Sequence, residues 1–325
     1  MIVERFLQII LSVLIISTIL VGYLAVIERL LHPLSHTRQQ NIRPWLWIAP
    51  AAIFLLVFLF YPMINTMYLS MMNTDMTDFV GLGNYGYLLT DSQMRVAIGN
   101  NLRWLALFVP ITIVLGLLMA VLTDRIAYER AVKAIMFLPM AISFVAAGVI
   151  WKFMYDYRPP GAPQTGTLNA LWTVFVPGAQ PQPWLIDPAT NNLALIFVAV
   201  WMFVGFCMVI LSSGLKSISE ELLEAARVDG ANEWQSFFRV TLPLLRPTVA
   251  VVTVTMIISA LKVFDVVYVL TNGNYNTDVI GTRMYKELFS SRNFGHASAI
   301  AVVLLIAILP IMIVNVRNLR AQETW

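Results

Sequence analysis

The chain has 325 residues, 59% hydrophobic and 12% charged, with a formal net charge of +3 and a mean hydropathy of +0.75. A water-soluble domain carries about 25% charged residues, so this sequence lacks the charge to cover a solvent-facing surface and reads as membrane-embedded. The pI near 9.0 comes from cations gathered in a few loops, which argues for membrane topology and against nucleic acid as a partner.

In chain order, uncharged runs occupy residues 6–27, 45–72, 104–123, 134–151, 193–215 and 297–316. Each approaches the ~20 apolar residues that cross a hydrocarbon core about 30 Å thick. A further run, 247–270, is interrupted by Lys262 and Asp265. The expected fold is an all-α polytopic transmembrane protein of about seven spans. The first run exceeds the ~7–15 residues of a secretory signal and no small-x-small site follows it, so a retained helix is expected. The segment 167–176 is apolar but too short to span, and is expected on the membrane surface or against helix ends. Pro50, Pro62, Pro110, Pro139, Pro243, Pro247 and Pro310 punctuate the runs. They fit either the broken helices of a moving pathway or ordinary tolerance of proline in lipid.

Lys and Arg set the orientation. Arg29, Arg38, Arg43, Arg125, Arg130, Lys133, Lys216, Arg227, Arg239, Arg246, Arg317 and Arg320 fall on one side. Arg5, Arg95, Arg103, Lys152, Arg158, Arg283, Lys286 and Arg292 fall on the other. The richer set is assigned to the cytoplasm, which places the N-terminus outside and the C-terminus inside. Cys207 is the single cysteine and can form no intramolecular disulfide. His32 and His36 flank Pro33 without a third ligand, so no metal is expected.

The informative stretch is 219–247, SEELLEAARVDGANEWQSFFRVTLPLLRP. Ser219 is a candidate N-cap, with Glu220 and Glu221 suited to a first helical turn, although Leu222 stands where a full capping box needs Glu or Gln. The first helix ends at Gly230. A second, from Asn232 to Arg239, carries Trp234, Phe237 and Phe238 at i, i+3 and i+4 and is expected to stop at Pro243. Two readings stay open on these residues alone: an elbow that docks in a partner's groove, or an amphipathic helix lying on the membrane.

The pattern Glu224-Ala225-Ala226, Gly230, Val240, Leu242-Pro243 resembles the EAA signature of binding-protein-dependent ABC importers, with Val240 replacing the usual isoleucine. Asp229-Gly230-Ala231 and Phe237-Phe238 resemble the carbohydrate branch, as do 45–71, Gly81-Leu82-Gly83-Asn84-Tyr85, Phe137-Leu138-Pro139, and Phe264-Asp265 followed by Tyr268-Val269-Leu270-Thr271-Asn272-Gly273. The arrangement is similar to a maltose-permease-type first subunit without its large outer insertion, and 264–284 looks most like α-glucoside permeases. The resemblance implies an extra N-terminal helix and connector over 1–44, and a six-helix permease domain over 45–325 with its coupling segment at 219–243. It implies that Glu224, Ala225, Ala226, Asp229, Gly230, Leu242 and Pro243 couple the chain to ATPases. The implied assembly sits in the cell (inner) membrane. It contains a second homologous permease, two cytoplasmic ATPase subunits that hold ATP and Mg, and an extracytoplasmic sugar-binding protein. The cargo would be a mono- or oligosaccharide, or alternatively another small polar solute such as a glycerol-phosphate or polyol.

Gly214-Leu215-Lys216-Ser217 is not a phosphate-binding loop, because it lacks a glycine directly before the lysine and another five residues earlier. The chain is therefore expected to bind no cofactor and to hydrolyse no ATP itself. Ser259, Lys262 and Asp265 stand at spacings of three, on one stripe if a single helix carries them. With Tyr268 they are the candidate solute pathway, since polar groups in a span are costly unless they serve a purpose. Mutual pairing of Lys262 with Asp265, or a stripe that only joins helices, are the competing readings. A coupled carrier would need two similar halves and midplane carboxylates, and an intramembrane enzyme would need a nucleophile or metal set; neither pattern is visible.

Overall fold

A computed structural model describes residues 2–124 and 126–323, and these are helical apart from loops and one isolated bridge between Met72 and Phe79. Arg125 and the side chains of Arg5 and Arg320, which enter the charge-based orientation, lie outside the described residues. The chain divides into two compact units, Met1–Thr66 and Met67–Trp325.

In the first unit, α1 (Ile2–Leu31) and α2 (His36–Leu55) run antiparallel about a short turn. The Tyr23 hydroxyl donates to the Leu46 carbonyl at 2.6 Å. Glu28 receives Arg43 at 2.9 Å and the Trp47 indole at 3.2 Å. A π turn (Leu56–Phe60) joins α2 to α3 (Tyr61–Leu69), giving one helix over His36–Leu69. Pro62 follows this turn by two residues. A proline in a regular α-helix collides with the carbonyl four residues back and leaves it without a donor, and one widened turn relieves both problems.

The second unit begins with α4 (Gly83–Thr90), α5 (Ser92–Thr123), α6 (Glu129–Ala141), α7 (Phe144–Met154), α8 (Thr167–Phe175) and α9 (Asn191–Lys216). It continues with α10 (Glu220–Val228), α11 (Glu233–Ser236), α12 (Leu242–Leu261), α13 (Asp265–Thr271), α14 (Ile280–Tyr285) and α15 (Phe294–Glu323). Helix α9 is its centre, with Leu195, Val198, Met202, Met208 and Leu211 buried, facing buried Trp104 and Phe108 of α5 and Met256 of α12. Lipid gives spanning helices no hydrophobic reason to associate, so close packing must hold them. At Gly205 the α9 backbone runs over the Met136 carbonyl of α6, and any Cβ there would overlap that oxygen. At Gly116 of α5 a Cβ would stand 2.6 Å from that of Cys207.

Among the described residues five helices have the length and apolarity of spans: His36–Leu69, Ser92–Thr123, Asn191–Lys216, Glu233–Leu261 and Phe294–Arg317. Helix α1, at 30 residues, is also long enough to cross, at about 1.5 Å per residue. The expected span 134–151 is instead two helices, α6 and α7, meeting at 98°. Pro139 weakens the end of α6, Ile142 is extended, and the Ser143 hydroxyl starts α7 by accepting the Ala146 amide at 3.1 Å.

The expected run 247–270 is also broken. Helix α12 ends at Leu261, and Phe264 leaves the helical region before α13 begins at Asp265. Buried Asn101 imposes the break. Its amide donates to the carbonyls of Ala260 at 3.1 Å and Leu261 at 3.3 Å, while its oxygen accepts the Ile280 amide at 2.8 Å. One carboxamide thus finishes α12 and starts α14. The loop after α13 carries positive φ at Asn272, Tyr275 and Asn276. Asn100 holds the carbonyls of Asn276 at 2.7 Å and Asp278 at 2.8 Å, and Asn191 holds that of Tyr275 at 2.8 Å.

Candidate coupling elbow and solute pathway

The elbow is built by local capping. The Ser219 hydroxyl accepts the Glu221 amide at 3.3 Å and opens α10. At the other end the amides of Gly230 and Ala231 donate to the carbonyls of Arg227 and Ala226, each at 3.0 Å, with Gly230 at φ +81°. This is a Schellman closure, and it requires the left-handed conformation that glycine adopts without strain. Nothing lies within 4 Å of a Cβ built on Gly230, so its demand is conformational and the space beside it is open. Two residues later Asn232 and Gln235 form a reciprocal capping box: the Gln235 amide donates to Asn232 Oδ1 at 2.9 Å, and the Asn232 amide to Gln235 Oε1 at 3.0 Å. The Asn-x-x-Gln spacing that signals it is visible in the sequence, whereas at Ser219 Leu222 stands in the box position and only a simple N-cap forms.

Pro243 does not end the second helix, contrary to expectation. Helix α11 passes through a π turn, Phe237–Thr241, into α12, and Glu233–Leu261 is continuous. The cause is the one seen at Pro62, with the wide turn placed two residues before the proline. Leu242 and Pro243 are half-buried at this junction.

Of the candidate coupling residues, Ala226 is buried, whereas Glu224, Ala225, Asp229 and Gly230 are exposed. Among the described residues the Glu224 carboxylate has no ion-pair partner, while Arg227 reaches Glu233 across the bend at 3.5 Å. Val228 is 87% exposed and Trp234 75%, with Trp234 stacked on exposed Phe238 at 5.9 Å. An exposed apolar face beside a fixed bend and an unpaired carboxylate has the chemistry of a docking surface.

Beside the elbow, Lys216 belongs to an ion cluster. Its Nζ lies 2.7 Å from Glu129, which also takes Lys133, and Lys133 in turn reaches Ser212. The cluster ties the start of α6 to the end of α9.

The four candidate pathway residues do not share one helix. The Ser259 hydroxyl, on α12, donates to the Thr255 carbonyl at 2.9 Å. Lys262 is the exposed C-cap of α12, and Asp265 is half-buried in the first turn of α13. The single stripe expected of Ser259, Lys262 and Asp265 is therefore interrupted by the break that Asn101 imposes. Among the described residues no salt bridge joins Lys262 to Asp265, and neither side chain has another hydrogen-bond partner. Tyr268 stacks on Phe264 at 5.1 Å and lies 3.5 Å, oxygen to oxygen, from the Tyr285 hydroxyl. Neither Phe264 nor Tyr285 is among the candidate pathway residues; Phe264 reaches Tyr268 one helical turn away, and Tyr285 only through the fold.

Residues 112–320 match the family described as binding-protein-dependent transport system inner membrane component. The chain is 51% identical over 278 residues to the osmoprotective compounds uptake permease protein of Synechocystis sp., covering 86% of this chain and 99% of that one. It is 45% identical over 280 residues to the alpha-glucoside transport system permease protein of Rhizobium meliloti, covering 86% and 83%. Among solved structures, a chain of a bacterial ABC transporter involved in import of the acidic polysaccharide alginate superposes with a TM-score of 0.73 at 28% identity, covering 87% of this chain and 99% of that one. The same kind of transporter in complex with an alginate pentasaccharide-bound periplasmic protein gives a TM-score of 0.72, covering 85% and 95%.

Proposed function

Because the chain belongs to the inner membrane components of binding-protein-dependent transport systems, we propose that it is one permease of an ATP-driven importer carrying a small carbohydrate of the α-glucoside class. The observation that carries this reading is the elbow: a Schellman closure at Gly230, a capping box at Asn232, and a continuous helix from Glu233 to Leu261 behind it. The exposed α10 surface fits a cleft on a cytoplasmic ATPase, with Glu224 as the carboxylate for a basic residue there. The elbow then lies in the cytoplasm, the N-terminus outside and the C-terminus inside, as the Lys and Arg distribution favours. A second permease, two ATPase subunits and an extracytoplasmic sugar-binding protein complete the assembly. ATP and Mg belong to the ATPase subunits. This chain's part is to receive their motion at α10 and pass it to helices that open the pathway alternately to either side.

The Synechocystis relative, a permease for osmoprotective compounds, supports a second cargo class, an osmoprotective solute such as a betaine. Reconstitution decides between them. The chain is placed in proteoliposomes with its partner permease, ATPases and binding protein, and uptake of radiolabelled maltose and glycine betaine is measured with and without ATP. ATP-dependent accumulation of maltose is expected. Accumulation of glycine betaine alone replaces the carbohydrate, and accumulation of neither overturns the reading.

A further inference from the structure

At the end of α12 opposite the elbow, four aromatic rings from two segments pack together, Phe264, Tyr268 and Tyr285 as a triangle that Phe289 extends into a row. Phe264 and Tyr268 stack with centroids 5.1 Å apart and planes 18° apart. Tyr285 lies 5.4 Å from Phe264 and 4.9 Å from Tyr268. Phe289 continues the row 4.6 Å beyond Tyr285 and is 62% exposed. The three inner rings are half-buried. We propose that this row is a stacking shelf for the apolar face of a neutral glycoside, with Tyr285 and Phe289 setting preference for longer sugars over shorter ones. This rests on the carbohydrate-import reading above and extends it to residues that reading does not use.

Three observations support a ligand over simple packing. First, the segment 280–290 is anchored from outside itself: Arg283 reaches Asp91 at 3.7 Å and Lys286 pairs with Asp278 at 3.2 Å. The aromatic face is not needed to hold the segment in place. Second, polar groups stand unspent beside the rings. Among the described residues the side chains of Lys262 and Asp265 have no partner, and the two tyrosine hydroxyls are at the 3.5 Å limit of a hydrogen bond. Apolar walls with a few free polar groups are the usual make-up of a small-molecule site. Third, Lys262 and Asp265 bring one charge of each sign, which favours a neutral hydroxyl-rich solute over an anionic one.

The test uses the full complex in proteoliposomes, with binding protein in excess, and follows uptake of maltose, methyl α-glucopyranoside and glycine betaine. Phe289→Ala and Tyr285→Ala are expected to lower maltose uptake about fivefold, the scale of one lost aromatic contact. Methyl α-glucopyranoside should fall less, ATP hydrolysis stimulated by the binding protein should persist, and Tyr285→Phe should stay within about twofold of the wild type. If wild type takes up sugar and both alanine variants keep its rate and its disaccharide-to-monosaccharide ratio, the shelf is overturned and the importer reading stands. If the variants lose uptake only in proportion to assembled complex, the row is an interfacial or packing device and the shelf is likewise overturned. If wild type takes up glycine betaine and neither sugar, the carbohydrate reading fails and the glycoside shelf fails with it.

Discussion

The elbow over 219–243 and the loop over 272–279 both leave helical backbone through positive φ, and they are finished in opposite ways. At the elbow the caps are local: Ser219, Gly230 and the Asn232–Gln235 pair close their own helix ends, and among the described residues no hydrogen bond from a distant span ties the bend down. In the loop the ties are remote, since Asn100, Asn101 and Asn191 reach in from α5 and α9 to hold its backbone and that of its neighbours. A locally capped elbow with an exposed apolar face keeps its shape while its surface stays free. A remotely tied loop spends its polar groups inside the chain. The contrast separates a surface made for a partner from one made for the fold.

The comparison breaks most sharply at Gly230. Gly230→Val puts a β-branched residue at φ +81°. Transport in the reconstituted complex is expected to fall by more than about tenfold as the Schellman closure is lost. The thermal unfolding midpoint of the isolated chain in detergent should hardly move, because the Arg227–Glu233 pair that spans the bend is exposed and contributes little. A large drop in that midpoint, with transport per folded molecule unchanged, would reverse the assignment.

Asn101→Ala tests the other side. It leaves the Leu261 carbonyl and the Ile280 amide without their partner in a buried position, and the Ala260 carbonyl with only the Val263 amide at 3.4 Å, at a cost of about 3 kcal/mol. Loss of folded protein on heating in detergent, with ATPase association intact in the survivors, is the expected result. The smallest effect is at Glu224, an exposed side chain with no partner among the described residues. Glu224→Ala should leave stability within about 0.5 kcal/mol. It should still weaken co-purification of the ATPase subunits severalfold, as loss of a charge-assisted contact does. Unchanged co-purification would remove Glu224 from the interface.

The same contrast explains what the sequence could reveal. Elbow signals are short-range, so Ser219, Gly230 and the aromatic spacing were readable, and Asn232–Gln235 could have been. Polytopic helical architecture was equally legible, because about 20 apolar residues at a time announce a span. Two features were not. The path of the chain through Pro243 depends on a π turn that relocates the strain of a missing donor, and the proline alone reads as a stop. The end of α12 carries no glycine or proline at Lys262, Val263 or Phe264; it is set by Asn101, 160 positions from Leu261 in the chain. The aromatic row was half legible, with Phe264 and Tyr268 one turn apart but Tyr285 and Phe289 delivered by that same asparagine.

The unbroken helix from Glu233 to Leu261 has a mechanical consequence. Its 29 residues measure about 43 Å end to end, more than the ~30 Å thickness of the hydrocarbon core. A strut of that length pivoting by about 5° at its midpoint carries each tip about 2 Å, in opposite directions. Asn101 ties that tip to α5, while Asn100 and Asn191 hold the neighbouring loop, so the tip would pivot at Asn101 against that loop. Phe264 stands three residues beyond that tip and Tyr285 at the end of α14, 5.4 Å apart, so a displacement of an ångström or two begun at α10 would change the spacing of those rings without any helix unwinding.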